Sequence, residues 1–185
     1  PAFRPDITRE VDLAEEVVRV VGYDQVPVTS PLAAVHAEPV NPYLRARQST
    51  KDALCAARFD EVINYAFISH AALSRLRLSE GDPGLSPIPV LNPLSEEQGV
   101  MRTSLVPGLL QTARRNLDHR NEDMRIYELS KVFIPRSGEA LPDEPHQLAG
   151  LMSGKRSTDL LYGGPGVVDY SDVKGVVEEV AALFH

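Results

Sequence analysis

Four acidic residues near the start of this chain have types and spacing suited to binding a cation. Asp12, Glu15 and Glu16 stand at i, i+3 and i+4 in a stretch with helical periodicity, so their carboxylates share one helix face. Asp6 lies just before that helix and can fold over the same end. Carboxylates gathered in this way repel one another. Hard oxygen donors of this kind suit a hard divalent cation such as Mg²⁺. A second account needs no metal. Acids in a first helical turn complement the helix dipole, and Asp12 with Glu15 has the D-x-x-E spacing of a capping box. The residues alone leave both accounts open.

Other chemistry is poorly provided for. There is no P-loop, no glycine-rich dinucleotide fingerprint and no H-E-x-x-H. No serine sits in a nucleophile elbow. The run Gly163-Gly164-Pro165-Gly166 lacks the Lys-Ser/Thr that would make it a phosphate loop, so it reads as a flexible loop. His36 stands alone in a proline-rich stretch. Cys55 has no neighbour in sequence to activate it and reads as a small core residue.

Composition sets outer limits. With 43% hydrophobic and 24% charged residues, the 185 residues have an ordinary globular mix. A formal net charge of −7 argues against a broad nucleic-acid-binding surface, which is normally basic. One cysteine excludes an internal disulfide and fits a reducing cytoplasm. No apolar run reaches the roughly 18 residues of a membrane span. The chain starts without Met and ends in a helical pattern, so it reads as a fragment of a longer protein.

Several elements must position the acidic residues and whatever they serve. Residues 3–7 read as a strand limited to an edge by Pro5. A helix starts at Thr8 or Arg9. Its apolar stripe is Leu13, Val17, Val20 and Val21, and Gly22 stops it. Four prolines in 27–42 make a linker. Residues 43–59 form a helix that is polar in its first half, as expected at a surface or a polar interface. Residues 61–69 alternate with apolar residues on both faces and read as a central strand. A short helix at 70–76 and a loop at 79–87 follow. Strands are expected at 88–93 and 100–105. Pro107 opens a helix with Leu109, Leu110, Ala113 and Leu117 on one face. Strands at 124–133 and 146–154 flank a long hairpin loop. Residues 155–168 are loosely organised. Asp169 starts a last helix striped by Val173, Val176, Val177, Val180 and Leu183. The strands pair antiparallel with helices between them, an α+β layout with helices against one antiparallel sheet.

Three separated stretches carry a resemblance: D-I-T-R-E-V-D-L-A-E-E from Asp6, N-P-L-S-E-E-Q-G-V-M-R-T-S-L-V-P-G-L-L-Q from Asn92, and D-Y-S-D-V-K-G from Asp169. Together they resemble the beta subunit of bacterial phenylalanine–tRNA ligase (phenylalanyl-tRNA synthetase), over nearly the whole chain. The resemblance implies that 1–26 is the C-terminal part of a small winged-helix-like (B5-type) domain and 27–42 a linker. It makes 43–185 a catalytic-like domain with the class II aminoacyl-tRNA synthetase antiparallel sheet and flanking helices. Asp6, Asp12, Glu15 and Glu16 then become Mg²⁺ ligands in a site shared with the alpha subunit. The implied complex has two alpha and two beta subunits, is cytoplasmic, and attaches phenylalanine to its tRNA with ATP. Its polar second helix, at 43–59, would pack against a partner subunit.

The same resemblance implies that the chemistry lies in alpha. In the alpha subunit's second motif, an outgoing strand ends in Gly-Arg-Val-Tyr-Arg and the return carries Phe-His-Gln-Val-Glu-Gly. The counterparts here are Ser130-Lys131-Val132-Phe133-Ile134 and Pro145-His146-Gln147-Leu148-Ala149-Gly150. Ile134 stands where an arginine would grip the ATP α-phosphate, and Ala149 where a glutamate would stand. A neutral side chain does not replace a guanidinium at a phosphate. No catalytic residue and no bound ATP are therefore expected in this chain. Arg102, Arg114, Arg115, His119 and Arg120 form the most basic patch. It is read as a solvated helix face, then as a contact for alpha, then for tRNA phosphate. A free-standing catalytic ligase domain and a nucleic-acid-binding module are the competing classes.

Overall fold

The carboxylate-bearing helix forms where its caps place it. In the computed structural model, which describes residues 3–33, 39, 41–139, 141–156 and 166–184, helix α1 spans Glu10–Val21. Arg9 is the extended N-cap, and Gly22 ends the helix at φ 112°, a left-handed conformation that favours glycine. A short 3₁₀ turn, Tyr23–Gln25, follows. Residues 3–7 form a turn instead of the expected edge strand, closed by Ile7 N donating to Arg4 O at 3.3 Å. The Arg4 side chain also folds onto Asp6, which tightens the turn. The stripe Leu13, Val17, Val20 and Val21 is exposed. This stretch belongs to the first of two compact units, Pro1–Pro39; the second is Val40–His185. His36, Gly163, Gly164 and Pro165 lie outside the described residues.

The second unit is built on a three-stranded sheet. Helix α2, Pro42–Ala56, starts with Pro42 in its first turn and the Asn41 side chain accepting from Tyr43 N at 2.9 Å. Strand β1 is only Asp60–Glu61, and β2 only Phe67–Ile68. Helix α3, His70–Ser74, is capped by Ser69. Strand β3 is Val100–Met101, helix α4 is Val106–Asp118, and strands β4 and β5 are Met124–Lys131 and His146–Ser153. Helix α5, Tyr170–Ala182, opens on a capping box in which Asp169 accepts from Ser171 N and Asp172 N while Asp172 accepts from Asp169 N.

The sheet order is β1-β4-β5. Strands β4 and β5 are antiparallel over their full length, from Met124↔Ser153 to Lys131↔His146. Strand β1 lies parallel to β4. The sheet is therefore mixed, which corrects the expectation of a purely antiparallel one. Alternation along β4 sends Met124, Ile126 and Glu128 to one face and Tyr127 and Leu129 to the other. The first face is covered by α4 through Leu109 and Ala113, with Val62, Ala149 and Leu151 at its margin. The second packs Leu54 and Phe59 against Tyr127, with Val176 and Val180 of α5 closing over them. Burying each Leu or Phe side chain here contributes about 1.5–3 kcal/mol.

The expected central strand at 61–69 is not continuous: Glu61 ends β1, and Phe67–Ile68 form β2 in a different sheet. Its last bond to the sheet is Val62 N donating to Tyr127 O at 2.8 Å. The chain then crosses to a second, two-stranded sheet, where β2 pairs antiparallel with β3. The crossing is fixed by Asn64, whose side chain turns inward to Glu128, and by Arg102 N donating to Ala66 O. Ile63 and Tyr65 are left 89% and 76% exposed. The strand expected at 88–93 is reduced to a bridge between Pro89 and Val100, because proline has no N–H for a ladder. Cys55 is exposed and is not the core residue its sequence context suggested.

Candidate functional site

Arg4 organises the acidic cluster. Its Nη2 donates to Asp6 Oδ2 at 2.7 Å and to Glu16 Oε1 at 2.6 Å. The other Glu16 oxygen accepts from Arg19 Nη2 at 2.7 Å. Asp12 does something different. Its Oδ2 accepts from the backbone amides of Thr8 at 2.8 Å and Arg9 at 2.7 Å, so it closes the start of α1. Asp12 therefore caps α1 from the third helical position towards Arg9, not as the first member of the expected Asp12–Glu15 box, and Arg9 has no acceptor side chain to complete a box of its own. Glu15 is exposed and makes no side-chain hydrogen bond or ion pair among the described residues.

The electrostatics follow from these bonds. Asp6 is held below the usual carboxylate range first by its bond to Arg4. Glu16 is lowered first by Arg4 and then by Arg19. Asp12 is lowered by the Thr8 and Arg9 amides. All three are ionised at neutral pH and exposed enough for solvent to screen them. Asp6 and Glu16 are brought together by a guanidinium, and no three His, Cys, Asp or Glu side chains gather around one point among the described residues. The donor set suits Mg²⁺ chemically, because every group is a hard oxygen. Two of its members are already neutralised by Arg4. The signal was in the sequence, two residues before Asp6.

The second candidate region is the β4–β5 hairpin. Ile134 is half-buried and exchanges two 2.9 Å backbone hydrogen bonds with Asp143. Ala149 lies opposite Glu128 in the ladder and packs at the edge of the α4-side core. Neither position carries a group that could grip a phosphate or hold a purine nucleotide. The charges on this face belong to Glu128 and Arg102 instead. Arg102 Nη1 donates to Glu128 Oε1 at 2.6 Å, with side chains 5% and 2% exposed. Asn64 Nδ2 donates to Glu128 Oε2 at 2.7 Å, and Arg102 Nε to Lys131 O at 3.0 Å. Thr112 Oγ1 donates to Asn64 Oδ1 at 2.7 Å, tying α4 into the same network. The network fastens the 62–66 crossing, β3, α4 and β4 to one another.

Arg102 therefore leaves the basic patch in which its sequence position had placed it. Of the remaining members, Arg114 is 3.9 Å from Asp118 with both side chains largely exposed, an arrangement worth little in water. On the opposite face of the sheet, an apolar cavity of 270 Å³ lies between Leu54, Phe59, Tyr127, Met152, Val176 and Val180. Its lining is almost wholly aliphatic and aromatic.

The comparisons with known proteins agree with the sequence motifs. Residues 26–185 match the family model described as the phenylalanyl tRNA synthetase beta chain CLM domain, and residues 1–23 match the tRNA synthetase B5 domain. The chain belongs to the phenylalanyl tRNA synthetase beta chain family. It is 41% identical over 185 residues to a phenylalanine–tRNA ligase beta subunit from Syntrophotalea carbinolica, covering 100% of this chain and 23% of that protein. It is 43% identical over 184 residues to the beta subunit from Geobacter sulfurreducens, again covering 100% and 23%. The chain thus spans under a quarter of the length of the curated relatives it matches. Among solved structures, a pyrrolysyl tRNA synthetase from Desulfitobacterium hafniense aligns over 76% of this chain and 44% of its own, with a TM-score of 0.51 and 18% identity. That likeness concerns the fold alone. No described helix is long and apolar enough to cross a membrane.

Proposed function

We propose that this chain is a non-catalytic part of a phenylalanine–tRNA ligase beta subunit, and that its synthetase-like unit braces the catalytic alpha subunit. The enzyme would be a cytoplasmic complex of two alpha and two beta subunits that joins phenylalanine to its tRNA with ATP and Mg²⁺.

One observation supports the non-catalytic assignment above all. The arginine and the carboxylate on the α4 side of the β4–β5 hairpin are bonded to each other, at 2.6 Å, and are buried. A phosphate-gripping arginine must present its donors to the nucleotide. Arg102 presents its donors to Glu128, Lys131 O and Asn64 O. Ile134 and Ala149 add nothing that would replace it. The hairpin keeps its shape and serves as scaffold, while ATP, phenylalanine and the tRNA end are handled by alpha.

We also propose that Asp6, Asp12, Glu15 and Glu16 contribute to an Mg²⁺ site shared with alpha. When bound, the ion would supply positive charge that holds the two subunits' carboxylates together. Arg4 fills that electrostatic role towards Asp6 and Glu16 here, so metal binding requires Arg4 to release them. Asp12 keeps one oxygen on the α1 cap and offers the other.

Co-purification of the full-length beta subunit with alpha, with and without a chelator, tests this reading. A stable complex that loosens on chelation is expected. Failure of the two subunits to associate under any condition would overturn the bracing role.

A further inference from the structure

A groove of 550 Å³ lies between β2, α3 and α4. That size falls in the range of about 300–1,000 Å³ usual for small-ligand sites. Its apolar lining includes Phe67, Leu76 and Leu110, and Phe67 and Leu110 are 42% and 50% exposed. Charged side chains of both signs stand around this floor. Arg114 and Asp118 face each other at 3.9 Å. Arg75, Arg115 and Glu97 make no side-chain hydrogen bond or ion pair among the described residues. These free charges are sorted along the groove. Glu97 belongs to the 3₁₀ turn Glu96–Gln98, which packs on β2. Helices α3 and α4 both leave the β2–β3 sheet by their N-termini, through Ser69 and through residues 102–105. Arg75 caps the C-terminal end of α3, and Arg115 lies in the last turn of α4. Arg115 is about 12 Å beyond Pro107 along the helix axis, at about 1.5 Å per residue. The acid thus marks the end at the sheet, and the two free cations mark the other.

A ligand that matches this order carries a cation, an apolar body and an anion in line, with its two charges far apart. A single amino acid holds its ammonium and carboxylate too close together to reach both ends. Three extended residues span about 10 Å. A tripeptide with free termini presents its ammonium to Glu97 and its carboxylate to the arginine forks. Its apolar side chains then lie on Phe67, Leu76 and Leu110, which removes exposed apolar surface from water. We infer that this groove binds short apolar peptides, held by both free termini. The inference goes beyond the bracing role and does not depend on it.

The test uses the full-length beta subunit and a leucine tripeptide whose central residue is photoleucine, so that illumination labels whatever the peptide touches. Label is expected in the segments 67–76 and 107–118, located by mass spectrometry, and plain trileucine should suppress it. N-acetyl-trileucine and trileucine amide each lack one terminal charge. Each should compete about two- to fivefold less well, as expected for losing one exposed ion pair. Glu97→Gln and Arg115→Gln should weaken labelling by a similar factor. Thermal melting should not change, because neither side chain has a partner to lose. Label confined to other parts of the chain would overturn the inference. So would equal competition by the two capped peptides, which would mean apolar adhesion alone. Either result leaves the bracing role intact, since alpha is absent from the experiment.

Discussion

Asn64 and Glu128 are 64 positions apart in sequence and joined by a 2.7 Å hydrogen bond in a partly buried site. This bond decides where one strand ends and a crossing begins. It also completes the solvation of a carboxylate whose charge is matched by Arg102. Burying two charges is costly, so the pair depends on every member of its network.

The first prediction concerns that dependence. Glu128→Gln keeps the shape and removes the charge, leaving the buried Arg102 guanidinium unmatched. Loss of about 3–5 kcal/mol in urea unfolding is expected. A loss below about 1 kcal/mol would mean that water reaches the pair.

A glycine gives the second prediction. A Cβ on Gly108 would lie 2.9 Å from Asn64 Cβ. Helix propensity alone favours Ala over Gly by about 1 kcal/mol. Overpacking against Asn64 should reverse that sign, so Gly108→Ala is expected to destabilise by about 1–3 kcal/mol. A stabilised variant would contradict the close contact between α4 and the 62–66 crossing.

Sequence periodicity located α1, α4, α5, β4 and β5 because their signals are local. Pro107 in a first turn, the Asp169–Asp172 capping box and the stripes of leucine and valine act within a few residues. The crossing at 62–66 was not legible in that way. Its alternation of apolar residues is the same whether or not a neighbouring strand pairs with it, and its partner is Glu128, far along the chain. Arg102 was misplaced for the same reason, since its acceptors lie 26 to 38 residues away. The acidic residues were legible as a group. Their division into a capping residue, an Arg4-bridged pair and exposed Glu15 required geometry.

Asp12 supplies a pH prediction. Its native pKa is lowered by two amide donors, so the cap is fully formed above the ordinary carboxylate value of about 3.9. It is lost as pH falls through the lower native value. An NMR titration should show the Thr8 and Arg9 amide shifts moving together below that ordinary value. Asp12→Asn should abolish the transition. A midpoint at or above the ordinary value would contradict the cap.

Arg4 supplies a prediction for metal binding. If Mg²⁺ must displace it from Asp6 and Glu16, Arg4→Met should tighten Mg²⁺ binding severalfold in calorimetry on the full-length complex. Glu16→Gln should weaken it. Unchanged or weaker affinity in Arg4→Met would contradict competition at this site.

The central claim is that this part of the beta subunit supports chemistry without performing it. Phenylalanine-dependent ATP–pyrophosphate exchange, measured for alpha alone, full-length beta alone and the two mixed, addresses it most directly. The account predicts no exchange by beta and full exchange only in the mixture. Exchange by beta alone, or full activity of alpha without beta, would contradict it.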